Sequence, residues 1–251
     1  KKFLPADKQA YLAGSWMKPN ILENHGPLCS LYKAHVKGDK GFDEGDFRSE
    51  GDSPAFLHTI PTGLRSMESP DFGGWGGRFV RVRDNTWLDP VPEPGYRYPE
   101  GRWFTGSAWG RAYMRERYPA DQHLMRAYFD PQTRWIVALQ NDFAARADWC
   151  VKEFKDANHA PVVTIADPLD RTVRPGETVT LAASATDPDG NKLSFKWWRY
   201  DDADTATKPV KIAHADTADR ASFVVPDEPG RTLHVICEVT DSGTPPLVAY
   251  R

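Results

Sequence analysis

The sequence predicts a chain in two parts: a helix-bearing domain over residues 1–157 and an all-β sandwich over residues 158–251. Three observations lead there. From Pro161 onward, short runs of alternating apolar residues are split by Pro, Gly and Asp turns. Upstream, residues 131–157 repeat their apolar side chains at three and four, the spacing of one helix face. Between them and the N-terminus lies Arg48 to Phe79, a Gly/Pro-rich stretch that fits neither pattern.

The 251 residues are enough for two domains with real cores. A net charge of −3 and no Lys/Arg cluster give no basic field to attract nucleic acid. No apolar run approaches the ~20 residues that a membrane helix needs. Nine Trp and 21 Pro are the unusual features, because an exposed indole face stacks on sugars or bases. Cys29, Cys150 and Cys237 are too few and too far apart for a disulfide framework or a zinc pattern. A single bridge stays open, and so does the compartment, with a secreted or periplasmic setting favoured. The chain opens at Lys1-Lys2-Phe3 without a signal-peptide pattern and closes in strand style at Leu247–Arg251, which reads as a fragment.

In order along the chain, residues 6–17 carry a helix pattern with Tyr11, Leu12 and Trp16 on one stripe. Pro19 opens a second short helical piece, and Asn24-His25-Gly26-Pro27 stops it. His25 either serves that helix end or faces a cleft. Residues 33–49 gather Asp39, Asp43, Glu44 and Asp46 without the frame of an EF-hand, and read as a solvated acidic loop. Residues 84–110 are aromatic-rich and aperiodic, a lid or a packing arm. Asp130-Pro131 is read as the cap and first turn of the long helix, whose apolar face is Ile136, Leu139, Phe143, Ala147, Val151 and Phe154. Asn141 lies elsewhere around that helix, able to reach a site or solvent. In the sandwich, Trp197 shares a face with Leu193 and Phe195 and is the expected core Trp. Trp198 and Tyr200 then point outward, to stack on a sugar or to dock on the first domain. Asp187-Pro188-Asp189-Gly190 is a tight turn that is also able to help hold a cation with Asp241.

The stretch from Arg48 to Phe79 carries the functional expectation. Its glycines at 63, 73, 74, 76 and 77 weaken both helix and strand, so the backbone either bends sharply there or is closely approached. Glu50 and Asp52 flank Gly51, the run Ala55 to Ile60 looks buried, and Trp75 sits among glycines, like the floor and rim of a site. Asp52 before Ser53-Pro54 is also a good helix cap, so both readings stand.

The strings Glu50-Gly51-Asp52-Ser53-Pro54-Ala55-Phe56-Leu57, Gly74-Trp75-Gly76-Gly77-Arg78-Phe79, Asn141-Asp142-Phe143-Ala144-Ala145-Arg146 with Trp149, and Asn158-His159-Ala160-Pro161 follow one another in this order. Together they resemble a bacterial family with a nucleoside-hydrolase-like domain followed by an immunoglobulin-like domain, often labelled cellulose-binding proteins. The resemblance implies an α/β fold for the first domain, as the C-terminal part of a nucleoside-hydrolase-like domain with a mainly parallel sheet. It implies Ca²⁺ as cofactor, with an early aspartate cluster activating a water that attacks the anomeric carbon of an N-glycoside. Asp52 is the position where a late metal ligand falls, although Ser53 departs from a strict Asp-Pro. Glu50, His25, Trp75 and Asn141 are the substrate-binding candidates, and no catalytic residue is assigned.

The early aspartate cluster has no counterpart after Lys1, so the missing N-terminal half of the domain is itself an expected partner. Three functions compete: a Ca²⁺-dependent hydrolase of an N-glycosidic or related glycosidic bond, a non-catalytic binder of cellulose or another plant polysaccharide, and a structural spacer. The ligand is accordingly a small sugar, a nucleoside-like molecule or a polysaccharide, and the oligomeric state is open.

Overall fold

The structure is a computed structural model that describes residues 4–36, 43–48, 53–90, 122–216 and 219–251. Helix α1 (Ala6–Tyr11) is followed by α2 (Gly14–Met17), which runs into a π-helical turn over Lys18–Leu22. Helix α3 spans Gly26–His35 and α4 spans Ser53–Leu57. A hairpin of β1 (Val80–Arg83) and β2 (Thr86–Leu88) comes next, then α5 (Gln122–Thr133) and α6 (Ile136–Trp149). The remaining strands are β3 (Val162–Ile165), β4 (Thr178–Thr186), β5 (Leu193–Arg199), β6 (Arg220–Val224), β7 (Val235–Asp241) and β8 (Val248–Tyr250).

Strands β3–β8 form two antiparallel three-stranded sheets, ordered β3-β4-β6 and β5-β7-β8. Val163, Val179, Leu181, Ala183, Ala221 and Phe223 of the first sheet meet Trp197, Cys237 and Val239 of the second in one core. This is the sandwich that the alternation predicts: each buried residue stands two positions from the next along its strand. Trp197 is in that core, as its spacing requires. Cys237 is there too, unpaired, and burial pushes its thiol up to about 12. Cys29 and Cys150 are also unpaired.

The Asp187–Gly190 segment is a turn whose carboxylates serve the protein itself. Asp187 accepts from the backbone N–H of Asp189 and Asn191, both at 2.9 Å, and Asp189 pairs with His159. Asp241 accepts from Asn158 Nδ2 at 2.9 Å and from the N–H groups of Gly243 and Leu247.

Among the described residues, β1 and β2 are the only strands before Val162, and they are antiparallel. The parallel sheet implied by the family resemblance is not among them. The first core is instead helical. Met17, Ile21, Leu22, Cys29 and Val36 pack against Ala144 and Ala147 of α6.

The long helix departs from its expected form. Pro131 does not open it but sits in the last turn of α5, and a turn at 134–135 separates α5 from α6. Helix α6 stops at Trp149, leaving Val151 and Phe154 exposed, Phe154 by 69%. The buried positions are Gln140, Asn141, Ala144, Ala145 and Ala147. The physical reason is that α6 is sandwiched. Its alanines let the first helices approach closely on one side, while Ala138 and Leu139 face the aromatic cluster on the other. The Gln140 amide nitrogen donates to Tyr11 O at 2.9 Å, while its buried oxygen has no partner among the described residues.

Three smaller expectations also change. Gly26-Pro27 begins α3 as well as ending the turn before it, because Asn24 adopts a left-handed φ of 64° and turns the chain between the two. Asp46 is buried rather than solvated, and it accepts the Gly14 N–H at 3.0 Å, capping α2 from across the chain. The run from Ala55 starts inside α4, in keeping with the helix start read at Ser53-Pro54, but it is not buried throughout: Phe56 is 65% exposed. Tyr96, Tyr98, Trp103 and Trp109 lie outside the described residues. No helix among the described residues is long and apolar enough to cross a membrane.

The helical part and the sandwich join through a third core, which is aromatic: Trp75, Trp135, Tyr200, Ala203, Ile236 and Tyr250. Tyr200 thus docks rather than facing solvent. Around this core, Tyr250 N–H donates to Thr62 O at 2.9 Å, and Arg65 makes a two-pronged contact with Asp170 at 2.7 and 2.9 Å. Gly76 is held where a side chain has no room, since an added Cβ would meet Pro54 O at 2.2 Å and His58 Cδ2 at 2.6 Å. Gly76→Ala is expected to destabilise the fold by about 1–3 kcal/mol through this overpacking. Urea unfolding checks it, and an unchanged midpoint would refute the close approach.

Candidate functional site

The stretch that stood out in the sequence becomes one wall of a cleft of about 550 Å³. Four local pieces build it. Helix α4 supplies Pro54 and Ala55, and His58 follows its last residue. The glycine segment then closes a tight hairpin, with Gly74 N–H donating to Gly77 O at 3.0 Å and Gly77 N–H returning to Gly74 O at 2.8 Å. Trp75 stands at the tip of this hairpin and points into the aromatic core, while Arg78 and Phe79 leave it along the cleft. The β1–β2 hairpin contributes Trp87 and Asp89, and α5 contributes Tyr128, Phe129 and Gln132.

The lining is amphipathic in a particular way. Phe79, Trp87, Tyr128 and Phe129 offer flat apolar faces, and Tyr128 and Phe129 pack edge-on at 5.0 Å. Among them stand a carboxylate (Asp89), an amide (Gln132) and a guanidinium (Arg78), the last anchored by its Nε–H to Asp71 O at 2.7 Å. Burial raises the pKa of Asp89; Tyr128 Oη, 3.5 Å away and long for a hydrogen bond, works weakly against that rise. Such a set can stack on a ring and bond its polar edge.

His58 lies at the base of this wall, its ring 5.4 Å from that of Phe79. Both ring nitrogens are shielded from solvent, and neither has a hydrogen-bond partner among the described residues. Burial therefore lowers its pKa, and the imidazole is neutral near pH 7. A shielded polar group without a partner costs about 1–3 kcal/mol, so this position is held against its own preference.

The residues expected from the sequence are scattered. Glu50 and Asp52 lie outside the described residues; Pro54, just downstream of them, lines the cleft. Trp75 is only 4% exposed and does not line this cleft, so it is corrected from a ligand face to a core residue. The glycines around it allow burial, not exposure, of the indole. His25 bonds Asp148 of α6 at 3.1 Å, away from this cleft, and ties the start of α3 to α6. Asn141 is buried on α6 and lines a different cleft, at the seam with the sandwich. Sequence reading passed over Phe79, Asp89, Tyr128 and Phe129. Trp87 was visible only as part of an aperiodic aromatic segment, and Tyr128-Phe129 stood unread before Asp130-Pro131.

The cation implied by the resemblance finds little support here. Among the described residues, no three His, Cys, Asp or Glu side chains come together in a way that would hold a metal ion. Asp89 is the one carboxylate among the described lining residues of the cleft, and with the Gln132 amide it falls short of the six to eight oxygens that Ca²⁺ takes, so no chemical step is derived through the ion.

A protein with a helical, cleft-bearing region docked on a two-sheet β-domain is thus defined. Residues 2–79 match the family described as the nucleoside hydrolase-like domain of cellulose-binding Sde182, and residues 178–251 match the C-terminal domain of cellulose-binding protein Sde0182. Both matches agree with the resemblance carried by the sequence motifs. A solved structure of a nucleoside hydrolase-related hypothetical protein from Saccharophagus degradans, described as associated with carbohydrate metabolism, is also similar. The likeness has 27% identity and a TM-score of 0.63, and covers 99% of this chain and 53% of that one. The chain therefore spans about half the length of that protein. No curated protein matches the chain.

His58 gives a pH signature with a definite sign. Its folded-state pKa is lowered, so its neutral form contributes stability that is present above pH 6.5 and lost as pH falls through the folded value. His58→Gln is expected to show a smaller fall in melting temperature than the parent between neutral pH and the acid side of that window. Parallel pH dependences in the two proteins would show that His58 is not shielded as described.

Proposed function

We propose that this protein binds a neutral carbohydrate in the cleft between the glycine hairpin, the β1–β2 hairpin and α5. The observation that carries the reading is the lining itself: Phe79, Trp87, Tyr128 and Phe129 surround Asp89, Gln132 and Arg78 in one cleft. The C–H face of a pyranose is apolar and its rim is hydroxylated, and this cleft offers flat aromatic surface beside fixed donors and acceptors. Asp89 accepts from ring hydroxyls when ionised, while Gln132 both donates and accepts. The matched families are named cellulose-binding, which supports a polysaccharide or a fragment of one as ligand. In this proposal residues 1–157 and 158–251 are the two domains.

A second reading is favoured by the match over residues 2–79 and by the position of the cleft directly downstream of Glu50 and Asp52. It is hydrolysis of an N-glycosidic or related glycosidic bond, with Asp52 as a Ca²⁺ ligand and Glu50 toward the sugar. Its test is turnover of a nucleoside panel and of p-nitrophenyl riboside with Ca²⁺ present, on the chain extended to the length of the matched solved structure.

For the binding reading, Trp87→Ala is expected to weaken retention on cellulose and affinity for cello-oligosaccharides by about tenfold or more, the equivalent of ~1.4 kcal/mol. Trp75→Ala does not report on this question, because it removes core packing. Undiminished oligosaccharide binding by Trp87→Ala, measured calorimetrically, would remove this cleft from the proposal.

A further inference from the structure

Cys29 and Cys150 are unpaired, but the fold brings them to one place. Two contacts join the start of α3 to the end of α6. His25 Nε2 lies 3.1 Å from Asp148 Oδ1, and Gly26 is so close to Val151 that an added Cβ would stand 3.1 Å from its Cγ1. Cys150, the C-terminal cap of α6, falls between Asp148 and Val151 in the chain. Cys29 lies one turn along α3 from Gly26, on the same helix face. It is 5% exposed and belongs to the core that it shares with Ala144 and Ala147 of α6. Ala147 is itself one turn back from Cys150, on the same face of α6.

The two thiols differ in what they can do. Cys150 is exposed, and its Sγ–H donates to the Arg146 carbonyl at 3.3 Å. A thiol is a weak donor, so turning this side chain about its Cα–Cβ bond costs little. Cys29 is enclosed. Burial first, and then the neighbouring Cys150 thiol, push its own thiol up. Each sulfur therefore lies within the electrostatic reach of the other, in agreement with the helix contacts on either side of them.

We propose that Cys29 and Cys150 form a modification site at which a small-molecule disulfide, such as oxidised glutathione, installs a bond between α3 and the end of α6. Cys150, as thiolate, attacks one sulfur of the donor; a mixed disulfide forms and one glutathione leaves. Cys29 then loses its proton, attacks the Cys150 sulfur and expels the second glutathione. Two protein thiols are oxidised to one disulfide, one glutathione disulfide is reduced to two thiols, and these take up the two protons that the cysteines lose. Access sets the order, because Cys150 is open and Cys29 is enclosed. The shortage of Cys29 thiolate makes the second step the slow one. The bond places α4, the glycine hairpin, the β1–β2 hairpin and α5 inside one covalent loop, and leaves the sandwich outside it. This inference does not depend on the carbohydrate reading.

The experiment is incubation of the folded full chain with oxidised glutathione, alkylation of the remaining thiols, and mass-spectrometric peptide mapping without reduction. One linked pair of peptides, bearing Cys29 and Cys150, is expected, with Cys237 alkylated only after unfolding. Cys29→Ala is expected to stop at the mixed disulfide on Cys150, and Cys150→Ser to leave Cys29 unmodified. The map of the parent decides the linkage without either variant. The oxidised parent is expected to melt roughly 5–15 °C above the reduced parent, because closing so long a loop restricts the unfolded chain. A parent that remains a mixed disulfide at Cys150, or that dimerises through Cys150, would overturn the inference. A linked product that melts no higher than the reduced protein would also overturn it, since the bond would then strain the packed helices as much as it restricts the unfolded chain.

Discussion

The architecture depends on the burial of one indole. Trp75 is carried on the tip of a glycine hairpin into a pocket formed by Trp135, Tyr200, Ile236 and Tyr250. These partners come from the corner between α5 and α6, from the end of β5, and from β7 and β8. Trp135 meets the same sandwich rings from the helical side, against Trp198, Tyr200 and Tyr250. An aromatic side chain of this size buries on the order of 150–250 Å², the largest single apolar contribution a residue makes. The burial requires glycine beside it. Gly73 has φ +74°, and an added Cβ there would lie 2.4 Å from the Tyr200 hydroxyl. The junction is therefore made of backbone lying directly on a ring.

Polar contacts surround this apolar centre and set its orientation. Arg134 reaches Asp130 on its own side and Asp202 across the junction, while its guanidinium lies 5.0 Å from the centre of the Tyr200 ring. Burial pushes the Tyr200 phenol up to about 12, so it stays neutral through the physiological range and adds no charge to the junction. Arg65 and Asp170 make the outer clamp. Being exposed, that clamp contributes more to alignment than to stability.

The same junction accounts for the two clefts. The glycine hairpin separates the space around α4 and the β1–β2 hairpin from the space at the seam. Helix α5 serves both, presenting Asp130 to one and Gln132 to the other within three residues. Both clefts set aromatic side chains beside charged and amide groups. Their character follows from the docking, since each wall pair is drawn from elements far apart in the chain.

The sandwich was legible in the sequence because its signal is local. Side chains alternate with period two, so Leu193, Phe195 and Trp197 mark the inward face of a strand without knowledge of its partner. The glycine stretch was equally legible as a place of close approach. The sequence alone could not say which element each glycine approaches, nor that Trp75 points inward. Helix α6 shows why. Its apolar spacing predicted one buried face, but it packs on two sides, and its alanines and Gln140 bury deeper than its larger apolar residues. That choice depends on what neighbours offer, such as the Tyr11 carbonyl that accepts from the Gln140 amide nitrogen. The first cleft was hidden for the same reason. Phe79, Trp87 and Tyr128 are unremarkable in their own segments and become a site only where three elements meet. Local periodicity determined the strands; long-range packing decided which aromatic residues became core and which came to line a cleft.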